Sequence, residues 1–365
     1  MTIARLDGQM IGLAVKGLAK NYGAHGEVRA LDSVDLEFPP GKCTVLLGPS
    51  GCGKTTVLRS IAGLVAPDAG RIEIGGTTAF DSAAGIDLAP EARQLGMVFQ
   101  SYALWPHMTV AENIAYPLQS GAAGRLEIAQ KVEAMLDWIG LRGLGSRYVH
   151  ELSGGQQQRV SLGRAMVGSP RAILFDEPLS NLDARLREHM RMELLALRQK
   201  VPFTSIYVTH DLLEAMTLGD QVVVMRAGKV EQIGRPEDIF RRPRNRFAAE
   251  FVGIPNLVEG TIRGREADGF IVDTALGALR ARGWRDDWTT GARCTLAIRA
   301  ISLAVVAGGA ARVVRAAFQG ASSLIVAAFA DAEFTIETFA EARPADGAAV
   351  SIVPNSDSIF PLLDD

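Results

Sequence analysis

One short stretch constrains this chain more than any other: Gly48-Pro49-Ser50-Gly51-Cys52-Gly53-Lys54-Thr55, followed by Thr56. It fits the spacing G-x-x-x-x-G-K-[ST]. The run before it, Cys43 to Leu47, is mostly apolar, as expected for a strand buried on both faces. The stretch after it, Thr55 to Ala62, reads as a helix that Gly63 and Pro67 would end. Glycines let a backbone curl until several N–H groups point at a phosphate, and the start of a helix adds a dipole that favours negative charge. In such a loop Lys54 would neutralise β- and γ-phosphate oxygens, and the Thr55 hydroxyl would ligate Mg²⁺. Cys52 reads as a small filler rather than a reactive thiol.

The rest of the chain supplies the sheet that such a loop needs. Ile11 to Val15 and Leu31 to Phe38 read as strands, the second ended by Pro39-Pro40-Gly41. Ala172 to Phe175, Ser205 to Val208 and Val222 to Met225 read as buried strands, with a helix from Leu186 to Gln199. Strand and helix alternating in this way predict an α/β sheet. Residues 125–168 read as helical, with Val132, Met135, Leu136 and Ile139 at helical spacing and Ser153 as the N-cap of a second helix. The composition changes near residue 241, where Arg241-Arg242-Pro243-Arg244-Asn245-Arg246 is charged and turn-prone. Beyond about residue 256 come short β-like runs, at 269–272, 294–298, 323–326, 334–338 and 350–353. They predict a small barrel or sandwich, and hence two domains, 1–240 and 241–365.

Charge and composition exclude several classes. A chain of 365 residues with a formal charge of −3 lacks the positive surface that a generic nucleic-acid binder needs. Residues 301–365 hold three basic and eight acidic side chains, so the second domain is no better suited to nucleic acid. Cys43, Cys52 and Cys294 cannot build a disulfide framework and fit a reducing cytosol. The longest apolar run, Leu303 to Phe318, is broken by Arg312 and Arg315, so no membrane span is expected. Met1 to Met10 carries Arg5 and Asp7 and does not read as a secretory signal.

Further motifs follow in order. Ile173-Leu174-Phe175-Asp176-Glu177 is an apolar strand ending in two acids. Asp176 can reach Mg²⁺ from the strand tip, and Glu177 can take a proton from an attacking water. Leu152-Ser153-Gly154-Gly155-Gln156 is a glycine-flanked helix start whose Ser153 and amides can hold a γ-phosphate; in isolation it is equally a cap and turn. With the phosphate loop, the strand acids and this pentapeptide together, the chain resembles the ATP-binding cassette family, in which it is the signature.

That resemblance implies an α/β P-loop cassette with a mixed sheet and a helical subdomain at about residues 100–165. A small all-β, oligonucleotide-fold-like C-terminal domain (TOBE) would follow it. It implies MgATP as ligand, Asp176 and Glu177 as a Walker B site, and a head-to-tail homodimer with two ATPs between subunits. It makes Gln100 the Q-loop glutamine, touching Mg²⁺ and the attacking water; otherwise Gln100 is a solvated loop amide. Asp183, in Ser180-Asn181-Leu182-Asp183, would bridge subunits, or is a plain helix N-cap. His210 would donate to the γ-phosphate as the switch histidine. Tyr22 stands where relatives stack an aromatic on adenine, or is a half-exposed loop residue. His25, His107, His150 and His189 lack metal-ligand spacing and read as surface or packing residues.

One phosphate loop and one signature make a single cassette without membrane spans of its own. The segment from Gln100 to Ile114 resembles importer ATPases for iron(III), polyamines, phosphonates and sugars. There it docks a permease, and Tyr102, Leu104, Trp105 and Met108 give it an apolar face. The implied enzyme is an ATPase driving solute uptake through a separate permease, at the cytoplasmic face of the inner membrane, with a solute-binding protein delivering the cargo. Iron(III) is the first expectation, with polyamine, aminoethylphosphonate or sugar as alternatives. A cassette ATPase acting on a macromolecule is the reading from another class. Three departures from the family pattern, Arg299-Ala300-Ile301, Asp211-Leu212 and a final strand read from Val350 to Ile359, leave the ATP motifs untouched.

Overall fold

The computed structural model describes residues 10–23, 26–119, 124–266, 269–283, 288–339, 343–354 and 359–362. The chain divides into two compact units, Met1–Pro236 and Glu237–Asp365, and the break falls just before the arginine-rich stretch.

The first unit opens on the antiparallel pair β1 (Leu13–Tyr22) and β2 (Val28–Phe38). β3 (Cys43–Leu47) runs into the phosphate loop and α1 (Lys54–Ala62). Next come β4 (Ala69–Ile74), β5 (Thr77–Asp81), β6 (Ile86–Asp87) and β7 (Leu95–Val98). α2 (Val110–Ala115), α3 (Arg125–Trp138) and α4 (Gly154–Met166) separate β7 from β8 (Ala172–Asp176). The unit closes with α5 (Ala184–Lys200), β9 (Ser205–Thr209), α6 (Leu212–Leu218), β10 (Gln221–Arg226) and β11 (Lys229–Gly234).

One sheet has the order β2-β1-β4-β5-β6, and the other β11-β10-β3-β9-β8-β7. In the second, β10, β3, β9, β8 and β7 run parallel and only β11 is reversed. Every residue of β3, β8 and β9 is buried, which is why these strands read as unbroken apolar runs rather than alternating ones. Leu13, Val15 and Ile72 from the first sheet share one core with Val57, Leu58 and Ile61 of α1 and Leu46, Leu174 and Val208 of the second. Each such side chain contributes about 1.5–3 kcal/mol by leaving water.

The register decides where chemistry can occur. Leu47 pairs with Thr209, and Asp176 pairs with Val208, across parallel strands. The carboxyl ends of β3, β9 and β8 therefore lie side by side. The phosphate loop, His210 and the Asp176-Glu177 pair leave the sheet at the same edge, where parallel sheets bind ligands.

A separate apolar cluster unites α2, α3 and α4 through Val110, Ile114, Val132, Leu136 and Val160. α3 and α4 are distinct helices: Gly140 turns the chain out of α3 with φ 68°, and Ser153 starts α4.

In the second unit α7 (Pro236–Arg241) begins at the division and α8 (Arg246–Phe251) follows, two short helices ahead of an otherwise β structure. The strands are β12 (Asn256–Glu266), β13 (Gly269–Thr274), β14 (Gly277–Arg282), β15 (Arg293–Ile298), β16 (Leu303–Phe318), β17 (Ser323–Phe329), β18 (Ala332–Thr338), β19 (Ala349–Pro354) and β20 (Ile359–Pro361). They form two antiparallel sheets, β14-β13-β12-β15-β20 and β18-β17-β16-β19, over one shared core that includes Phe270, Leu296, Val313, Ile325 and Phe334. The run from Leu303 to Phe318 is the long strand β16, and no helix among the described residues is long and apolar enough to cross a membrane. The stretch read as one final strand from Val350 to Ile359 is corrected to two, β19 and β20, in different sheets. Pro354, which has no N–H to continue a ladder, ends the first.

Candidate active site

The phosphate loop closes over the start of α1. Gly53 stands at the N-cap with φ 106°, and a Cβ there would sit 2.5 Å from the Ala30 carbonyl oxygen. Glycine is therefore required both by backbone shape and by space. With no side chain at the cap, the first-turn N–H groups of α1 are left for an anion. Lys54 is buried, and its Nζ donates to the carbonyls of Gly48 at 2.8 Å and Pro49 at 2.9 Å. The ammonium thus sits inside the curl of Gly48, Pro49, Ser50 and Gly51. Cys52 is buried in the core beneath, in keeping with a filler role.

The Thr55 hydroxyl donates to Asp176 Oδ1 at 3.1 Å, and Arg59 reaches Asp176 Oδ2 at 3.1 Å. Asp176 is buried at the tip of β8, so the guanidinium and hydroxyl offset the cost of burying its charge. Thr56 is the next residue of α1 and is half-buried.

Glu177 leaves β8 with a left-handed backbone, φ 45°, unusual for a non-glycine. Its N–H donates to Val208 O at 3.1 Å, and the Ser180 hydroxyl donates to its carbonyl at 2.9 Å. The bend aims its carboxylate at the neighbouring strand end, where Oε2 lies 3.1 Å from His210 Nδ1. His210 is itself half-exposed.

Beneath His210 lies a buried polar group. Glu214 Oε2 accepts from Tyr207 at 3.0 Å and from the Thr209 hydroxyl at 2.8 Å, while Thr209 Oγ1 accepts the Asp211 N–H at 2.9 Å. The peptide units on both sides of His210 are tied through this cluster. Burial pushes the Glu214 carboxyl up from its usual range, against the opposing pull of the Thr209 and Tyr207 hydroxyls.

Of the other expected residues, Gln100 follows β7, whose carboxyl end lies beside that of β8 (Val98 pairs with Phe175), whereas Ser153 to Gln156, Asp183 and Tyr22 lie on other elements. Gln100 is exposed, and its carbonyl accepts from Asn181 Nδ2 at 2.9 Å, linking the Gln100 loop to the 180–183 segment. Ser153 caps α4 and forms a capping box with Gln156: the Ser153 hydroxyl accepts from Gln156 N–H, and the Gln156 side chain accepts from Ser153 N–H. Gly154 opens the first turn of α4. A Cβ on Gly155 would meet Leu186 at 3.2 Å and Met190 at 3.5 Å, so its lack of a side chain lets α5 lie close. Asp183 caps α5, accepting from Leu186 N–H at 3.0 Å. Tyr22 ends β1 half-exposed, with Lys20 Nζ 5.6 Å from its ring centre.

The segment read as a docking face is only partly free. Tyr102, Leu104, Trp105 and Met108 are all half-buried. The Trp105 ring lies 4.1 Å from that of Tyr116, and Asn113 accepts from Trp105 N–H at 2.9 Å. Tyr102 and Ala103 both have left-handed backbones, each costing roughly 1–2 kcal/mol.

His189 pairs with Glu193 at 3.0 Å and His150 stacks on Tyr148; His107 is exposed, and His25 lies outside the described residues. The sequence reading did not single out Arg59, Glu214, Asn181 or Arg164. Arg59 and Glu214 carried a signal in their spacing: each lies one helical turn beyond a motif residue, Thr55 and His210 respectively.

Comparison with known proteins adds the family. A sequence model described as ABC transporter matches residues 31–180. The sn-glycerol-3-phosphate import ATP-binding protein of Rhizobium johnstonii is 40% identical over 358 residues, 96% of this chain and 94% of its own length. The chain belongs to the ABC transporter family.

Two other relatives match this ABC protein over less of its length. The trehalose/maltose import ATP-binding protein of Thermococcus litoralis is 50% identical over 67% of the chain and 66% of its own length. The Fe(3+) ions import ATP-binding protein of Rhizobium etli is 42% identical over 84% of each. Among solved structures, the dimeric post-hydrolysis state of an ATP-binding cassette bound to ADP and Pi is similar, with a TM-score of 0.53 and 31% identity. That match covers 61% of this chain and 98% of the other. The chain is an ABC import ATPase, and its cassette binds and hydrolyses ATP.

Proposed function

We propose that this ABC protein works as a head-to-tail homodimer on the cytoplasmic face of the inner membrane and drives permease subunits by closing on two ATP molecules. The observation that carries the reading is the convergence of Lys54, Thr55, Asp176, Glu177 and His210 on one sheet edge, with Glu177 and His210 in contact at 3.1 Å. Lys54 exchanges the Gly48 and Pro49 carbonyls for phosphate oxygens. The Thr55 hydroxyl and Asp176 carboxylate touch at 3.1 Å and are hard oxygen donors, the type Mg²⁺ takes. Mg²⁺ held there, with Gln100 as a further ligand, would offset charge on the β- and γ-phosphates. Glu177 takes the proton of the attacking water, and His210, oriented by Glu177, donates to the γ-phosphate.

Ser153, Gly154, Gly155 and Gln156 serve the partner's nucleotide. Helix starts bind phosphates through backbone N–H groups, and those of Gly154 and Gly155, the first two of α4, have no acceptor within their own helix. Asp183 faces the partner from the start of α5, and Tyr22 stacks on the adenine. ATP biases the closed dimer only as far as it binds that state better.

The second unit is read as a TOBE-type β domain. A solute-binding protein outside the membrane selects the cargo. Relatives named for sugar, iron and glycerol phosphate import are of comparable identity to this chain, so the cassette does not encode the cargo. Iron(III) is the first cargo to screen, followed by polyamines, aminoethylphosphonate and sugars.

The test is affinity purification of tagged Glu177→Gln protein from detergent-solubilised native membranes, with mass spectrometry of what comes with it. A stoichiometric multi-span permease is expected. Ribosomal or DNA-processing partners with no membrane subunit would overturn the transport assembly and leave the ATPase site standing.

A further inference from the structure

The loop carrying Gln100 is held in an uncommon shape by α4. Tyr102 and Ala103 have φ of 62° and 48°, a region that residues with a Cβ disfavour. Arg164 donates to the Ala103 carbonyl at 2.6 Å and, from its other terminal nitrogen, to the Tyr102 carbonyl at 2.8 Å. Ser161, one turn earlier on α4, donates its hydroxyl to the same Tyr102 carbonyl at 3.0 Å. The Arg164 guanidinium also lies 4.9 Å from the Trp105 ring centre.

Arg164 is only 7% exposed. Burying a guanidinium costs solvation and is ordinarily offset by a carboxylate. Among the described residues, its contacts are two successive carbonyls of one strained turn and an aromatic face. A planar fork with donors at fixed spacing matches two adjacent carbonyls; a lysine ammonium, a single point of charge, does not. The helix supplying the fork is the one Ser153 caps. At 1.5 Å per residue, Arg164 lies about 16 Å along a rigid rod from Ser153.

We propose that Arg164 is a positioning residue, whose guanidinium fork fixes the strained Tyr102–Ala103 turn and so places Gln100 for hydrolysis. The inference rests on the role assigned to Gln100 above. Without the fork the turn relaxes toward ordinary backbone and carries Gln100 away, while ATP binding at the Lys54 loop is unaffected. The link also ties the placement of Gln100 to the helix whose start meets the partner's ATP.

The test compares ATP turnover, KM for ATP and melting temperature in the full-length protein, Arg164→Lys, Gln100→Ala and the double variant. Arg164→Lys should lower kcat about tenfold with KM within about twofold, and cost less than about twofold more once Gln100 is gone. Ala103→Gly removes the backbone penalty and should recover about threefold of the Arg164→Lys loss, a rescue that simple packing would not give. An equal loss in both backgrounds, or no loss of kcat, overturns the proposal. If Gln100→Ala turns over at the wild-type rate, the Gln100 assignment fails and the fork's role with it. If Gln100→Ala is impaired and Arg164→Lys is not, only the fork's role fails. Should Arg164→Lys not fold, Ser161→Ala carries the same cycle with an expected loss of about threefold.

Discussion

The phosphate loop and the Ser153 segment are both glycine-rich helix starts, yet they are built differently. Around Lys54 the polar groups come from separate elements and meet across a sheet edge: Lys54 at the start of α1 after the β3 loop, Asp176 at the tip of β8 with Glu177 just beyond it, His210 after β9. Around Ser153 the polar side chains serve their own chain start, Ser153 and Gln156 bonding each other and Asp183 capping α5. The first gathers its groups from several strands of one chain over a helix start that has no side-chain cap. The second is capped from within, Ser153 accepting the Gln156 N–H, and leaves the Gly154 and Gly155 N–H groups for the ligand that the proposed partner copy would bring.

The two regions should therefore respond differently to mutation. Glu177→Gln removes the proposed base from the Lys54 face; turnover should drop about 10²–10⁴-fold while ATP still binds, as seen by single-turnover kinetics and size-exclusion with ATP. Full activity in that variant would remove the base assignment. Lys54→Ala strikes the same face earlier, and ATP affinity by calorimetry should fall about 10–100-fold, because a charge-assisted contact is lost. Unchanged affinity would refute its phosphate role.

Ser153→Ala should separate the regions. ATP affinity of the dilute, monomeric protein is expected to stay within about twofold while ATP-dependent dimerisation and turnover fall about tenfold, with helix stability lowered by about 1 kcal/mol through the lost cap. A loss of monomer affinity instead would mean that both regions serve one nucleotide within a chain.

The smallest effect sharpens the support beneath His210. Glu214 is held up by burial, so the folded protein keeps its proton more tightly than the unfolded chain. Its contribution is greatest below the ordinary carboxylate range and falls as pH rises toward the raised folded value, then levels. Glu214→Gln should remove that decline; melting temperature followed from about pH 4 to 8 should flatten relative to the parent. An unaltered slope would show that Glu214 is not the group that titrates.

Much of this protein could be read from its residues. The phosphate loop, the burial of β3, β8 and β9, the Ser153 cap and the strand acids are local facts, because glycine geometry, capping and burial on both faces leave their mark within a few positions. The second unit was legible as β runs, but its closing segment divides between two sheets at Pro354, since a stretch of β sequence does not name its partner strand. Tertiary structure alone set the register that joins Glu177 to His210 and put Arg164 on the Tyr102–Ala103 carbonyls. These pairs lie 33 and about 61 residues apart. Short-range chemistry fixes what each segment can be, whereas the hydrogen-bond ladders and the shared core fix which segments meet.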